Sequence, residues 1–288
     1  MSIFLNDVAR TEFDTEVKHA YRAAANLRST VTFRGGVAAG TYDFRSMGAG
    51  IAKQKASQDD VVPMNVAHAV QAATLADWHA AEYTDIFNAA AVNFDEQREL
   101  ATTIAEAIAR REDQLVIDAL ATAAVPAGQV VANSIGGTST SLNTAKLRRA
   151  SKIMNANGVP KADRHYICNA DALEALLGTT EATSIDYNGV KALVDGALDT
   201  FLGFKFHIIP TQDEGGLALR SANNRESFAY HQRAIGLACA LDRSVTVDWV
   251  AQKRSWLACQ DYKAGAIARD AAAASANLRG IVEVRLYE

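Results

Sequence analysis

The chain has 288 residues, a formal net charge of −4 and a calculated pI of about 5.9. This length fits one or two domains with a sizeable core, and it excludes a disulfide-stapled miniprotein, a disordered tail and a fibrous repeat. The mild acidity argues against a protein whose main task is to grip nucleic-acid phosphates, because such domains are usually strongly basic. Three cysteines without the short spacings of zinc or redox motifs predict an intracellular protein with buried thiols.

The first third of the chain predicts a short helix followed by a long hairpin. Residues 11–28 have apolar side chains spaced by three and four, which is the helical period. Strand-like alternation follows at 31–44, and residues 45–60 are small, polar and charged, as in a loop. Alternation resumes over 62–70, where Pro63 favours an edge strand. Because a hairpin of this kind is poorly stable alone, it needs a surface on its own domain or on a neighbouring subunit.

The clearest pattern is a long helix over residues 93–123. Asn93 and Glu96 have the spacing of a capping box. A helix of about 28 residues is roughly 40 Å long and would span the molecule. One face of this helix carries an apolar stripe made of Leu100, Ile104, Ile108, Leu115 and Ala119. The opposite face carries Glu99, Thr103, Glu106, Arg110 and Asp113.

A Gly/Ser/Thr-rich connector at 125–140 leads into an alternation of helices and strands. The patterns predict helices over 143–156, 170–178 and 189–200, and strands over 165–168 and 204–210. Polar loops are expected over 179–188 and 212–224, and a strand or short helix over 228–241. The remaining strands are expected around 245–249, 256–262 and 282–286. No internal repeat is visible.

No motif for catalysis or cofactor binding stands out. The Gly48-Ala49-Gly50 sequence lies in a polar loop without a following helix, and His165 and Cys168 have a metal-compatible spacing but lack a second pair of ligands. The sequence therefore assigns no catalytic, cofactor-binding or metal-binding residue, although three of the six histidines could still meet in space. The predicted helix over 143–156 has one basic flank, made of Lys146, Arg148, Arg149 and Lys152. A solvated face is the favoured interpretation of this flank, a subunit contact is the second, and nucleic-acid binding is the last.

The charges around the hairpin loop have two interpretations. On an isolated subunit, Lys53, Lys55, Asp59 and Asp60 are solvated loop charges. If the hairpin lies over a neighbouring subunit, they and Arg45 become candidate inter-subunit contacts.

The order of these features resembles the major capsid proteins of tailed bacteriophages, whose Johnson fold is shared with encapsulins and herpesvirus capsid floors. The resemblance is strongest to coat proteins of short-tailed phages. Five stretches carry it: residues 73–120, 164–178, 202–211, 228–240 and 262–288. The resemblance implies an α+β fold. Its expected parts are an N-terminal arm at 1–32, an E-loop hairpin at 33–72, a peripheral domain at 73–140 with a spine helix at 94–123, an axial domain at 141–244, and a return to the peripheral domain at 245–288.

The resemblance also implies a function without catalysis. A capsid subunit of this kind assembles as hexamers and pentamers into an icosahedral shell that encloses double-stranded DNA. The shell would form in the host bacterial cytoplasm, with a portal and a separate scaffolding protein, and without a membrane or a cofactor. No position matches the family's covalent crosslinking motif securely. Two alternatives stay open: an encapsulin-type shell that holds a cargo enzyme, and an enzyme with a composite His/Cys site.

Overall fold

A computed structural model describes residues 27–48, 50–85, 96–123, 125–179, 200–211, 214–217, 219–221, 224–269 and 280–287. These residues form three α-helices: α1 (Glu96–Ala121), α2 (Thr144–Ala156) and α3 (Ala170–Leu177). Several predictions lie wholly or mostly outside them, namely the helix over 11–28, the Asn93 cap, and the loop and helix over 179–200.

Thirteen described strands form two larger sheets and one two-stranded hairpin. The strands are β1 (Thr32–Arg34), β2 (Thr41–Met47), β3 (His68–Thr74), β4 (Ala76–Asp85), β5 (Val130–Val131), β6 (Arg164–Cys168), β7 (Thr200–Phe201), β8 (Phe204–Ile208), β9 (Leu219–Ser221), β10 (Asn224–His231), β11 (Ile235–Val250), β12 (Ser255–Ala268) and β13 (Ile281–Tyr287). The first sheet has the order β1-β11-β12-β4, and the second has the order β5-β13-β10-β6-β8-β7, with β9 paired to β10. Strands β2 and β3 form the hairpin.

Helix α1 packs along the first sheet and buries the predicted apolar stripe around Ile104 and Ile108. Its C-terminal half is more deeply buried than the sequence predicts, because Arg110 and Asp113 are also buried and Glu112 has no exposed surface. The expectation of a polar outer face is therefore wrong for this half. The apolar core around α1 contains side chains from residues 27–31, from the first sheet and from one face of the second sheet.

The second sheet separates two cores. Its β6 residue Ile167 faces the core that contains α1, whereas the adjacent Tyr166 and Cys168 face a core covered by α2 and α3. Both of these helices begin with an asparagine cap. The Asn143 side chain accepts a hydrogen bond from the backbone amide of Lys146, and the Asn169 side chain accepts one from the backbone amide of Ala172.

The hairpin differs from the prediction in where its second strand begins. Strand β3 begins at His68, not near Val62, and Val62 and Met64 are exposed on an irregular segment. Alternation alone does not make a strand here, since Pro63 lacks an amide donor and Asn65 has a φ of 47°. Between Gly48 and β3, the described residues form no further strand.

The expected division into five parts stays a prediction. The sheets add two facts that bear on it. Strand β11 runs continuously across residue 244, where the axial part was expected to end. The terminal strand β13 pairs with β10 and β5 in the second sheet.

Two glycines let the base of the hairpin pack onto the first sheet. Phe44 of β2 lies over Gly236 of β11, where an added Cβ would be 2.6 Å from the ring. A Cβ added to Gly265 would lie 2.0 Å from the carbonyl oxygen of Thr74. Since real Cβ atoms do not approach so closely, both positions require glycine for the backbones to keep this contact.

We expect Gly265→Ala to lower the free energy of unfolding by about 1–3 kcal/mol and to expose β3 to proteases, because the Thr74 backbone must move away. Gly40→Ala is the matched control, since no atom lies within 4 Å of its added Cβ. Urea unfolding and limited proteolysis measure both effects. Equal stability of the two variants would contradict the close packing of the hairpin base.

Candidate assembly surfaces

The hairpin arm, residues 41–74, combines an anchored base with an exposed loop. Phe44 and Ala73 at its base, together with the adjacent Leu75, form a small buried cluster with Ala238 of β11. The β2–β3 ladder ends at Met47 and His68, and one further backbone hydrogen bond joins Gly48 to Ala67. Beyond this point the loop exposes large apolar side chains, with Ile51 81% and Val61 78% accessible. Exposed apolar residues grouped in this way are typical of interaction surfaces.

The five candidate contact residues do not form one cluster. Arg45 lies on β2, at the base of the arm, opposite Val70 of β3. The other four are exposed on the loop. Asp59 ends a turn in which its amide donates to the Ala56 carbonyl at 3.3 Å, and Asp60 follows directly. Among the described residues, none of these five side chains forms an ion pair. Their role as inter-subunit contacts stays a prediction.

A second apolar surface lies at the far end of the β11–β12 hairpin. Three of its side chains are exposed: Val247, Trp249 and Trp256. They lie on the same face of the first sheet as the residues that α1 covers, but nearer the turn between β11 and β12. The two tryptophan rings meet edge to face, with centroids 5.2 Å apart. Strand β1 pairs only with Gly236–Ala238 of β11, so within the described ranges the outer edge of β11 has no strand beside it from Cys239 onward. An open edge next to apolar side chains can pair with another chain. Sequence reasoning missed this surface, although the alternation at 245–249 is its signal.

A buried carboxylate fixes the position of α1 relative to the first sheet. Oε2 of Glu112 accepts hydrogen bonds from Nη2 of Arg243 at 2.7 Å and from its Nε at 3.2 Å. Oε1 lies 3.5 Å from Nε of Arg28, which is an ion pair rather than a good hydrogen bond. Because Glu112 has no exposed surface, these arginines supply the compensation that a buried charge requires.

The same arginines connect the helix to two other segments. Arg28 also makes a bidentate contact with Asp242, with N–O distances of 2.6 and 3.0 Å, and its guanidinium lies over the ring of Phe33. The hydrogen bond to Asp242 raises the pKa of Arg28. Asp242 lies where the β11–β12 register shifts, between Leu241 and Ser244. The start of β1 and this irregular part of β11 are therefore held by one charged cluster.

Two histidines meet on the second sheet. Nδ1 of His165 and Nε2 of His207 are 2.9 Å apart, and His165 also lies against the ring of Tyr230. Burial, followed by the charge interactions with His207 and Lys205, lowers the pKa of His165 to about 4. Burial and Lys205 also lower the pKa of His207. A neutral pair is therefore favoured.

The pair with a metal-compatible spacing, His165 and Cys168, is divided between the two faces of β6. His165 lies in the face of β6 shared with Ile167, whereas Cys168 lies in the opposite face and is fully buried. Burial raises the pKa of the Cys168 thiol to about 12, which disfavours the thiolate that a nucleophile or metal ligand requires. Among the described residues, no three His, Cys, Asp or Glu side chains are grouped as a metal site. In the same part of the chain, no helix is long and apolar enough to span a membrane.

Comparison with known families identifies the chain. Residues 5–276 match the family described as phage capsid protein. The chain belongs to the phage capsid protein family. Its function as a major capsid protein of a bacteriophage, predicted from the order of its segments, is confirmed by this match. No curated protein matches it in sequence.

Solved phage capsid structures share the fold at low sequence identity. The capsid of Helicobacter pylori bacteriophage KHP30 superimposes with a TM-score of 0.76 at 10% identity, covering 100% of this chain and 99% of that one. The capsid of cyanophage P-SCSP1u gives 0.74 at 14% identity, covering 97% and 93%. The capsid of Ralstonia phage GP4 gives 0.73 at 10% identity, covering 100% and 98%. The predicted capsid fold is therefore confirmed.

We expect Glu112→Ala to destabilise the subunit by about 1–3 kcal/mol, because it removes the buried acceptor of Arg243 and Arg28, although both arginines remain partly hydrated and Arg28 keeps Asp242. Asp77→Ala, which removes an exposed ion pair with Lys263, is the matched control and should cost less than about 1 kcal/mol. Urea unfolding of both variants gives these values. Similar losses in the two variants would show that the buried cluster has no special role.

The histidine pair predicts a pH dependence of stability. In the unfolded chain His165 gains a proton below about pH 6.5, whereas in the native state it stays neutral down to about pH 4. The native state therefore loses stability relative to the unfolded state as the pH falls from 6.5 to 4. The contribution is at most about 1.4 kcal/mol per pH unit. We expect His165→Asn to lose less stability between pH 6.5 and 4.5 than the wild type, in urea unfolding at each pH. His68→Asn, at an exposed position of β3, should follow the wild-type curve. If the His165→Asn curve also follows it, the assignment is wrong.

Proposed function

We propose that this capsid protein is the shell-forming subunit that assembles as hexamers and pentamers into an icosahedral shell around double-stranded DNA. The observation that carries the proposal is the hairpin arm, whose loop exposes apolar and charged residues that its own subunit does not cover. Membership in the phage capsid family supports self-assembly of this kind.

The arm is suited to reach a neighbouring subunit. Its base is fixed on the first sheet by Phe44 and the two glycines, while its loop offers separate apolar and charged contacts. Contacts that are individually weak and form only between subunits allow misplaced subunits to leave before the shell closes. In this proposal, Arg45, Lys53, Lys55, Asp59 and Asp60 contribute to those contacts.

The charge balance supports enclosure of DNA rather than binding to it. A net charge of −4 gives little general attraction to phosphates, which would otherwise bind each duplex segment as it enters. We further propose that assembly occurs in the host bacterial cytoplasm, where a separate scaffolding protein and a portal complete the particle. This proposal assigns the chain a structural role in the virion and no catalytic one.

Shortening the loop tests the proposal. Replacing residues 49–66 with Asn-Gly should give a tight hairpin, because Gly48 and Ala67 are already joined by a hydrogen bond of 2.8 Å. We expect the variant to fold with wild-type thermal stability but to form no closed shells by sedimentation and negative-stain microscopy. Replacing the same residues with a Gly/Ser linker of equal length is the control that separates length from side-chain contacts, and it should also fail to assemble. Normal shells from both variants would contradict the role of the arm.

A further inference from the structure

An arginine-lined groove runs along β1 at the edge of the first sheet. Two adjoining cavities of about 460 and 600 Å³ share Thr32, Arg34 and Arg269 in their walls. Arg45 lines one of them, and Arg28 and Arg233 line the other. Strand β1 is the last strand of its sheet among the described residues, so the groove lies beside an open backbone edge.

The arginines divide into those that build the groove and those that face it without partners. Arg269 is structural, since its two Nη atoms donate to the carbonyls of Arg233 and Arg45 at 3.3 and 3.0 Å. The guanidinium of Arg28 already forms ion pairs with Asp242 and Glu112. Within the described residues, the exposed side chains of Arg34, Arg45 and Arg233 make no hydrogen bond or ion pair. Asp43 is the acidic residue in the walls, and it leaves the groove with an excess of positive charge.

Guanidinium groups arranged in this way favour carboxylates or phosphates, which accept two parallel hydrogen bonds. The same chain carries a matching acidic feature. Asp59 and Asp60 are adjacent, exposed and presented by the turn at Ala56–Asp59, in which Gln58 has a φ of 67°. Their side chains make no ion pair within the described part of the chain.

Within the described residues, no hydrogen bond or ion pair joins the acidic turn to the groove of its own subunit. The base of the arm lines the groove through Tyr42, Asp43 and Phe44. Strand β2 continues only two residues beyond Arg45, the last residue of the arm in the groove wall, and the acidic turn begins nine residues after Met47. A chain with two complementary surfaces at different places forms head-to-tail contacts with its copies, and such contacts close into rings when the rotation allows it.

We propose that the Asp59–Asp60 turn of one copy docks into the Arg34–Arg233 groove of the next copy around a capsomer. This inference rests on the proposed function, because it identifies the surface that receives the arm. Attraction between opposite charges also specifies the register of the contact and makes it sensitive to salt.

A charge swap tests the contact in the full-length chain. We expect Asp59→Lys with Asp60→Lys, and separately Arg34→Glu with Arg233→Glu, to raise the protein concentration needed for shell assembly by about tenfold or more at low salt. Combining all four changes should restore most of the assembly, because the attraction is rebuilt with reversed signs. The matched control is Arg149→Glu with Lys152→Glu on the exposed side of α2, which should assemble like the wild type.

Circular dichroism and thermal unfolding establish that each variant is folded, and Arg34→Gln with Arg233→Gln gives a milder test if reversal disturbs folding. Normal assembly of the groove variants, or no recovery in the combined variant, overturns the inference and leaves the proposed function standing. Normal shells that retain less DNA would assign the groove to phosphate instead, which also overturns it. If the wild type forms no shell under any assembly condition, the proposed function fails and the inference fails with it.

Discussion

The rest of the subunit depends on the buried carboxylate of Glu112. It comes from the middle of α1 and contacts Arg28, which precedes β1, and Arg243, which belongs to the irregular part of β11. Next to it, Asp113 accepts the backbone amide of Leu27 at 3.0 Å. Two segments distant in sequence are therefore held around one side of the helix. Since β1 starts at Thr32, four residues after Arg28, this cluster also determines where the hairpin arm leaves the sheet.

The arm separates the part of the molecule that must be rigid from the part that assembly uses. Its base requires glycine at 236 and 265, because β2 and β3 approach the first sheet closely there. Its loop has no comparable packing within the subunit, and apolar side chains such as Ile51 stay exposed. A rigid base directs the loop to a defined place on the neighbour, whereas the exposed loop leaves its contact energy for the assembled state.

Local patterns in the sequence predict much of this architecture. The periodicity of α1, the helices predicted over 143–156 and 170–178 and the existence of the hairpin all depend on neighbouring residues, and the structure contains each of them. Other features depend on distant partners. The burial of Arg110 follows from surfaces contributed by other segments, and His165 meets His207 from 42 positions away. The pairing of β13 between β10 and β5 is likewise not visible in the alternation of its own residues.

The candidate contact residues show the same division. The sequence predicts a charged hairpin loop, and Lys53, Lys55, Asp59 and Asp60 do lie on it. It does not predict that Arg45 belongs to the base of the arm, because this depends on where the β2–β3 ladder ends. Nor does it predict the groove beside β1, since its arginines come from positions between 28 and 269 and meet only through the pairing of β1 with β11.

Electron cryomicroscopy of assembled particles at side-chain resolution tests the central claim most directly. The account predicts that residues 50–66 of each subunit lie on an adjacent subunit, with Ile51 and Val61 covered by it. A shell in which these residues fold back onto their own subunit, or stay exposed without any neighbour in contact, would contradict the account.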